Sequence, residues 1–357
     1  MEETLTLSGT DPSAGSLELR LAALRRRFAA LQRPRPAIFW SDLAASSTIG
    51  WLAFAFAGRA APGSLASWVA LAVAILALYR AVLFIHEIAH LKRGRLPGFE
   101  VAWNLVAGLP LMVPSLMYVG SHREHHDIQI YGTERDPEYS PMAGWQPLRI
   151  LASFLAMPLL PPLLALRWGV LGPLSRLVPA LRPFVVGRLS TLVINPGYRR
   201  PLPGRLERRR WALEEAGGAL YFWAGVAALA SGALAPHWLL VWYVAGSGIL
   251  LLNHARTLAA HRYENEGAGL DWHGQLVDSI NMPGVPGLTV LAAPVGLRFH
   301  GLHHMLPGLP YHSLGAVNRA LLAELPEDSP YRGTQTSGIV ATLAQLLKRS
   351  GGKTGSD

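Results

Sequence analysis

The chain has 357 residues, half of them hydrophobic but only 15% charged, against roughly 25% charged in soluble domains, and several apolar stretches approach bilayer length. A protein inserted into a membrane at several points is therefore the first expectation. There is no cysteine, which excludes disulfides, iron–sulfur clusters and a thiolate-held haem and leaves nitrogen or oxygen to hold any metal. The formal net charge of +9 does not point to nucleic acid, because the arginines flank apolar spans and no nucleic-acid module is present. It is read as topological.

Residues 1–16 are rich in Ser, Thr, Gly and acids and are expected to be a disordered tail, with no basic start or apolar centre of a signal peptide. From Leu17, the apolar positions Leu17, Leu21, Leu24, Phe28 and Leu31 recur at helical spacing, with Arg20 and Arg25 to Arg27 on the other faces. Two readings stay open: a helix lying on an anionic membrane surface, or a short packing helix. Together, residues 1–36 form the expected cytosolic tail and basic amphipathic helix.

The first spans are expected at about 37–57 and 64–85, joined by Ala61-Pro62-Gly63. Basic residues precede the first (Arg33, Arg35) and follow the second (Lys92, Arg93, Arg95), so the positive-inside rule puts both ends in the cytosol. A second hairpin is expected at about 219–234 and 237–252, again flanked by arginines (Arg208 to Arg210, Arg256, Arg262). The stretches 101–119 and 148–171 are also apolar. If the first crossed once, His122 would emerge about 30 Å from His86, on the far side of the hydrocarbon. Pro110 and Pro114 in one, and Pro158, Pro161 and Pro162 in the other, fit broken, interfacial or re-entrant segments. The expected fold is an all-α polytopic bundle of four full spans, six if both stretches cross, with a cytosolic helical cap. The membrane domain is taken as residues 37–322, and 323–357 as a C-terminal helix and disordered tail.

Eight of the thirteen histidines lie in three five-residue clusters: His86 and His90; His122, His125 and His126; His300, His303 and His304. Their spacing is i, i+4 or i, i+3, i+4, so on helices each cluster projects from one face. His86-Glu87-Ile88-Ala89-His90 also matches HExxH, the pattern of a zinc protease in which the glutamate activates water. Such a site needs only three protein ligands and leaves the other clusters without a purpose. Imidazole suits iron, zinc and copper alike, but eight or nine imidazoles exceed what one ion coordinates and point to two. A redox pair beside lipid suits oxygen activation and attack on an unactivated C–H bond.

The ordered HxxxH, HxxHH and HxxHH series resembles the membrane fatty acid desaturase family, which includes related hydroxylases and carotenoid ketolases. The likeness covers about residues 82–322, with flanks Asp136-Pro137-Glu138 and Leu306-Pro307-Gly308-Leu309-Pro310-Tyr311-His312. It implies a non-haem di-iron centre, O2 as co-substrate, a lipid acyl chain as substrate and an external electron donor such as a ferredoxin, cytochrome or reductase. It also implies His86, His90, His122, His125, His126, His300, His303 and His304 as iron ligands. A ninth is expected from the helix after the last span, where His254 and His261 stand seven residues apart; His261 is favoured by its place at the cytosolic end. Desaturation is the expected outcome, with a lipid hydroxylase or carotenoid ketolase/hydroxylase as the alternative, in a bacterial inner membrane with the metal site and both termini cytosolic.

Metal-bound histidines usually donate their second ring nitrogen to a carboxylate or carbonyl. This makes Glu87, Glu124, Asp127, Asp136, Glu138, Asp271, Asp278 and Asn281 candidates, together with His254 and His312 as polar neighbours. Glu87 stands where many members have Asp. His237 falls at the outer turn and His273 at the surface.

Overall fold

The computed structural model describes residues 22–92, 94–192, 194–285 and 287–352. The expected N-terminal tail, the first turn of the amphipathic stretch and the last residues of the C-terminal tail lie outside them. The described chain is all-helical, with no strand beyond isolated bridges such as His261 with Ser279 and Asn281 with Phe299.

Helices α1 (Pro36–Arg59) and α2 (Leu65–His90) form an antiparallel hairpin. Pro36 stands at the first position of α1, where its missing N–H costs nothing. At α2 the Ser64 side chain caps the N-terminus by accepting the Ser67 N–H at 3.2 Å. Gly50 sets the contact between them, since a Cβ there would fall 2.7 Å from Leu78.

The apolar stretch after α2 turns back on itself. A short helix, Phe99–Trp103, runs into a π-turn, Asn104–Gly108, and the chain reverses through Met112, at φ 59°, to a 3-10 turn at Ser115–Met117. Asn104 ties the two limbs: its Oδ1 accepts the Ser115 N–H and its Nδ2 donates to Ser115 Oγ, both at 2.9 Å. Carbonyls freed at the bend are met by side chains of surrounding helices. Tyr221 donates to Leu105 O (3.0 Å), Trp51 to Val106 O (2.7 Å), Trp242 to Pro110 O (3.0 Å) and Trp168 to Met112 O (2.9 Å). Broken backbone at apolar depth requires such partners. The chain then enters α3 (Val119–His125).

The second proline-rich stretch departs from expectation. It is a nearly continuous helical run, α4 (Pro147–Leu177), interrupted only by a 3-10 turn at Met157–Leu159 and a π-turn at Arg167–Leu171. Pro158, Pro161 and Pro162 fall in the first positions of new helical segments, where a proline is tolerated. The run packs along the bundle: Ser153 meets His254, Pro161 lies against Gly246, and Arg167 and Arg176 reach Glu215. Its outer ridge is exposed and apolar, with Leu148 76%, Leu155 77% and Leu177 81% exposed.

Helix α5 (Arg208–Ala230) starts eleven residues before the expected span, because its two adjacent carboxylates are paired. Glu214 accepts the Leu116 N–H at 2.8 Å, and Glu215 takes Arg167 and Arg182 at 2.8 Å. Helix α6 (His237–Leu258) closes the bundle. Among the described residues three helices, α2, α4 and α6, are long and apolar enough to cross a membrane; the expected set of four shares α2 and α6 with them.

Over one end of the bundle lies a cap containing α3, α7 (His300–Met305), α8 (Tyr311–Glu324) and α9 (Ile339–Gly352). The N-terminal helix at 22–27 belongs to this cap. Leu24 and Phe28 are buried in one cluster with Leu302, Met305, Leu306 and Leu309, as the packing reading expects of the described turns. The expected boundary at 322/323 falls inside α8, whose Leu321 shares that cluster with Leu325.

Candidate metal centre

The three histidine clusters come from the C-terminus of α2, from α3 with His126 as its C-cap, and from α7. They converge with a ninth imidazole into two adjacent sets. His86, His90, His122, His126 and His303 form the first; His125, His261, His300 and His304 form the second, and within each set one ring nitrogen per residue lies within 4.8 Å of all the others.

The partition follows from helix geometry. Residues i and i+4 differ by only 40° around the axis, while i+3 and i+4 are 100° apart. His86 and His90, His122 and His126, and His300 and His304 therefore stay together, whereas His125 and His303 point into the opposite set. The expectation that each cluster projects from one face thus needs correction for these two residues. The chain order does not give one ion per cluster; the second and third clusters each serve both sets.

Nε2 atoms face one another inside the sets. His303 Nε2 lies 3.0 Å from His90 Nε2 and 3.1 Å from His126 Nε2, His126 lies 3.1 Å from His122, and His300 lies 2.9 Å from His261 and 3.0 Å from His304. The Nδ1 atoms face outward to acceptors. His122 Nδ1 is 2.9 Å from Glu138, His125 Nδ1 2.9 Å from both oxygens of Asp136, and His261 Nδ1 3.2 Å from Asp278. A neutral imidazole has one N–H; spent on a carboxylate at Nδ1, it leaves a lone pair at Nε2. Both nitrogens of the buried His86 have no hydrogen-bond partner among the described residues, nor has Nδ1 of His300, His303 or His304. Inward lone pairs on nine rings, seven of them buried and those of His90 and His126 partly buried, could hold a pair of nitrogen-bound cations, and iron fits this donor set.

Electrostatics agree. Burial, reinforced by neighbouring imidazoles, pushes His122, His126, His300, His303 and His304 well below the usual histidine range, into the neutral form that binds metal. For His125 burial also lowers, but the Asp136 carboxylate more than reverses it, and the net direction is up. Burial raises Glu138 to about 7, against the pull of His125 and Arg256. Asp278 is raised by burial yet held below its ordinary value by hydrogen bonds from His261, Tyr131 and Tyr139.

Of the two candidates for the ninth position, the structure places His261 in the second set and His254 outside both. His254 Nε2 pairs with Ser153 Oγ at 2.7 Å and its ring packs on Phe154. Seven residues apart in sequence, the two do not lie on one helix. Helix α6 ends at Leu258, and His261 lies in a short extended segment bridged to Ser279.

The remaining candidates separate cleanly. Asp136, Glu138 and Asp278 touch the clustered rings. Asn281 holds the third cluster instead, accepting the Leu302 N–H at 3.0 Å while its amide donates to Thr334. Glu87 accepts the Tyr311 N–H at 3.1 Å and stays 4.0 Å from His86 Nδ1. It is directed away from the sets, not poised to activate water as HExxH requires. Asp127 is exposed and accepts the Gln129 N–H, Asp271 caps a short helix through the Gly274 N–H, and Glu124 accepts the Tyr198 hydroxyl. His312 accepts the Arg35 N–H at 3.1 Å and packs on Phe39, His237 lies 2.8 Å from Gly58 O, and His273 is exposed.

Sequence reasoning missed the tyrosines. Tyr131 donates to Asp278 at 2.7 Å with its oxygen 2.8 Å from His261 Nδ1, Tyr139 donates to the other Asp278 oxygen at 3.0 Å, and Tyr118 stacks on His122. No residue spacing marks the Tyr131 and Tyr139 contacts, because each joins segments remote in the chain; Tyr118 stands four residues before His122, a helical spacing that could have found it.

Beside the first set opens a cavity of about 330 Å³. Leu83, Leu160, Leu164, Trp242 and Ile249 give it apolar walls, and His86, Tyr118 and Glu138 border it at the clustered end. Gly246 lines it too, whereas Gly248 faces Ile75.

Comparison with known proteins bears on this geometry. A family model described as fatty acid desaturase matches residues 62–335. A ceramide hydroxylase of Caulobacter vibrioides (strain NA1000 / CB15N) is 41% identical over 320 residues, covering 89% of this chain and 90% of that protein. No solved structure matches the chain.

Proposed function

The chain belongs to the fatty acid desaturase family, and from that premise we propose that it is an oxygen-dependent di-iron lipid hydroxylase acting on an amide-linked lipid of the ceramide class. The observation that carries this is the pair of imidazole sets abutting an apolar cavity. Family membership and a hydroxylase relative make the chain an oxidoreductase of lipid metabolism. The finer choice of hydroxylation over the expected desaturation is supported by the name of the relative.

His86, His90, His122, His126 and His303 would hold one iron, and His125, His261, His300 and His304 the other. Two bound irons supply dioxygen reduction and attack on an unactivated C–H bond. Asp136, Glu138 and Asp278 fix ring orientation and tautomer through Nδ1. Leu160, Leu164, Trp242 and Ile249 clamp hydrocarbon, exclude water and restrict which carbon meets the centre. In the balanced reaction one oxygen atom enters a C–H bond as hydroxyl. The other leaves as water, with two protons and two electrons from a separate ferredoxin, cytochrome or reductase. Desaturation would differ in removing a second hydrogen in place of forming the C–O bond. The arginine flanks of the hairpins support four spans in a bacterial inner membrane, with the centre and both termini cytosolic.

Metal analysis of protein purified without chelator, together with lipid mass spectrometry of expressing cells, tests this reading. Two irons per chain and ceramides carrying one added oxygen are expected. A single zinc, or new double bonds without oxygen, would overturn it.

A further inference from the structure

The cavity has a polar end that neither the metal sets nor hydrocarbon accounts for. Along α6 its lining changes from Trp242 and Ile249 to Asn253, Arg256 and Thr257; along α2 it passes from Val82 and Leu83 to His86. Both helices end at the clustered end, so Arg256 and His86 border the cavity at one level, with the apolar walls deeper.

Arg256 is only 6% exposed. Its Nη2 donates to Asn253 Oδ1 at 2.9 Å, while its Nε is buried with no partner among the described residues. No carboxylate among those residues forms an ion pair with it; Glu138, in the same wall, is committed to His122 at 2.9 Å and to the Tyr118 hydroxyl at 3.3 Å. A buried guanidinium with an idle donor is costly unless an acceptor meets it. Its planar fork of N–H groups matches an oxygen better than any hydrocarbon.

Resting on the hydroxylase reading, we propose that Arg256, steadied by Asn253, binds the amide carbonyl oxygen of the substrate, so that the hydroxylated carbon lies within a few bonds of the amide. With the carbonyl held at the level of His86, the acyl chain runs from the polar end into the apolar depth, away from the metal sets. Carbons in the middle of the chain are then out of reach, and those beside the amide are presented.

The test compares binding of a short-chain N-acylsphinganine, its chain-matched alkane and the matching free fatty acid to purified, iron-loaded protein, and locates the hydroxyl in the product by tandem mass spectrometry. Wild type should prefer the amide lipid over the alkane by about tenfold or more. Arg256→Met should erase that preference with alkane affinity and iron content unchanged, and Arg256→Lys should restore part of it. Should Arg256→Met not fold, Asn253→Leu carries the comparison, with a several-fold loss for the amide lipid alone. The assignment falls if the preference survives these variants, if the fatty acid binds more tightly than the amide lipid, or if the hydroxyl sits mid-chain. A product with a double bond, or none, would count against the hydroxylase reading alone, because the binding series judges Arg256 without turnover.

Discussion

The histidine cage and the segment that reverses through Met112 both place polar atoms in an apolar setting, and they treat those atoms in opposite ways. In the segment, the carbonyls of Leu105, Val106, Pro110 and Met112 each receive an indole or phenol donor from a neighbouring helix. In the cage, the Nε2 atoms of His90, His122, His126, His261, His300, His303 and His304 face each other at 2.9–3.1 Å, and neither nitrogen of His86 has a hydrogen-bond partner among the described residues. Satisfied polar atoms at depth mark architecture; unsatisfied ones, converging, mark chemistry. The contrast also explains why the bend can exist: it holds Pro110 against Trp242 and Met112 against Trp168, and so helps to shape the cavity next to the cage.

The severest way to break the contrast is to remove a ring that links the parts of one set. His303 touches both His90 and His126, so His303→Ala should release iron from the first set and abolish oxygenated product, as read by metal analysis and lipid mass spectrometry. Retained iron at the wild-type level would show that the set is not a ligand cage. Asp136→Asn acts one layer out. It removes the charge facing His125 Nδ1 and weakens the acceptor for the Gly132 and Glu138 N–H groups. Loss of such an outer partner typically lowers metal affinity roughly 10–100-fold, which chelator competition measures directly.

Trp242→Phe strikes the other side of the comparison. It keeps an aromatic ring but leaves the part-buried Pro110 O without its donor, a loss worth about 1–3 kcal/mol. Unfolding in detergent should move by that amount while iron content stays intact. An unchanged melting curve would mean that water already serves this carbonyl.

How much of this was legible in the sequence follows the same division. The three clusters are legible because i, i+4 spacing is local, and the reversal of the first proline-rich stretch because His86 and His122 could not otherwise meet. The assignment of His125 and His303 to opposite sets was not read, although 100° per residue contains it. Tyr131, Tyr139 and the Trp-to-carbonyl contacts had no local signal, since each depends on tertiary placement. The second proline-rich stretch misled in the other direction: its prolines sit at starts of helical segments, so that α4 stays helical through them. Its exposed leucine ridge shows why hydropathy alone marked it.

The smallest effect sharpens what adjacency in sequence is worth. Asp127 directly follows the second cluster, nearer in the chain to His125 than Asp136 is, and on spacing alone it is the better partner. Yet α3 ends at His125 and the chain turns outward, so Asp127 is exposed and spends its carboxylate on the Gln129 N–H. Asp136 returns through the turn at Gly132, at φ 71°, and arrives fully buried against His125. Asp127→Asn should therefore shift stability by no more than about 0.5 kcal/mol and leave iron retention under chelator competition at the wild-type level. Were it to loosen the metal as much as Asp136→Asn does, the outward turn after α3 would be wrong, and with it the account of how His125 comes to face the second set.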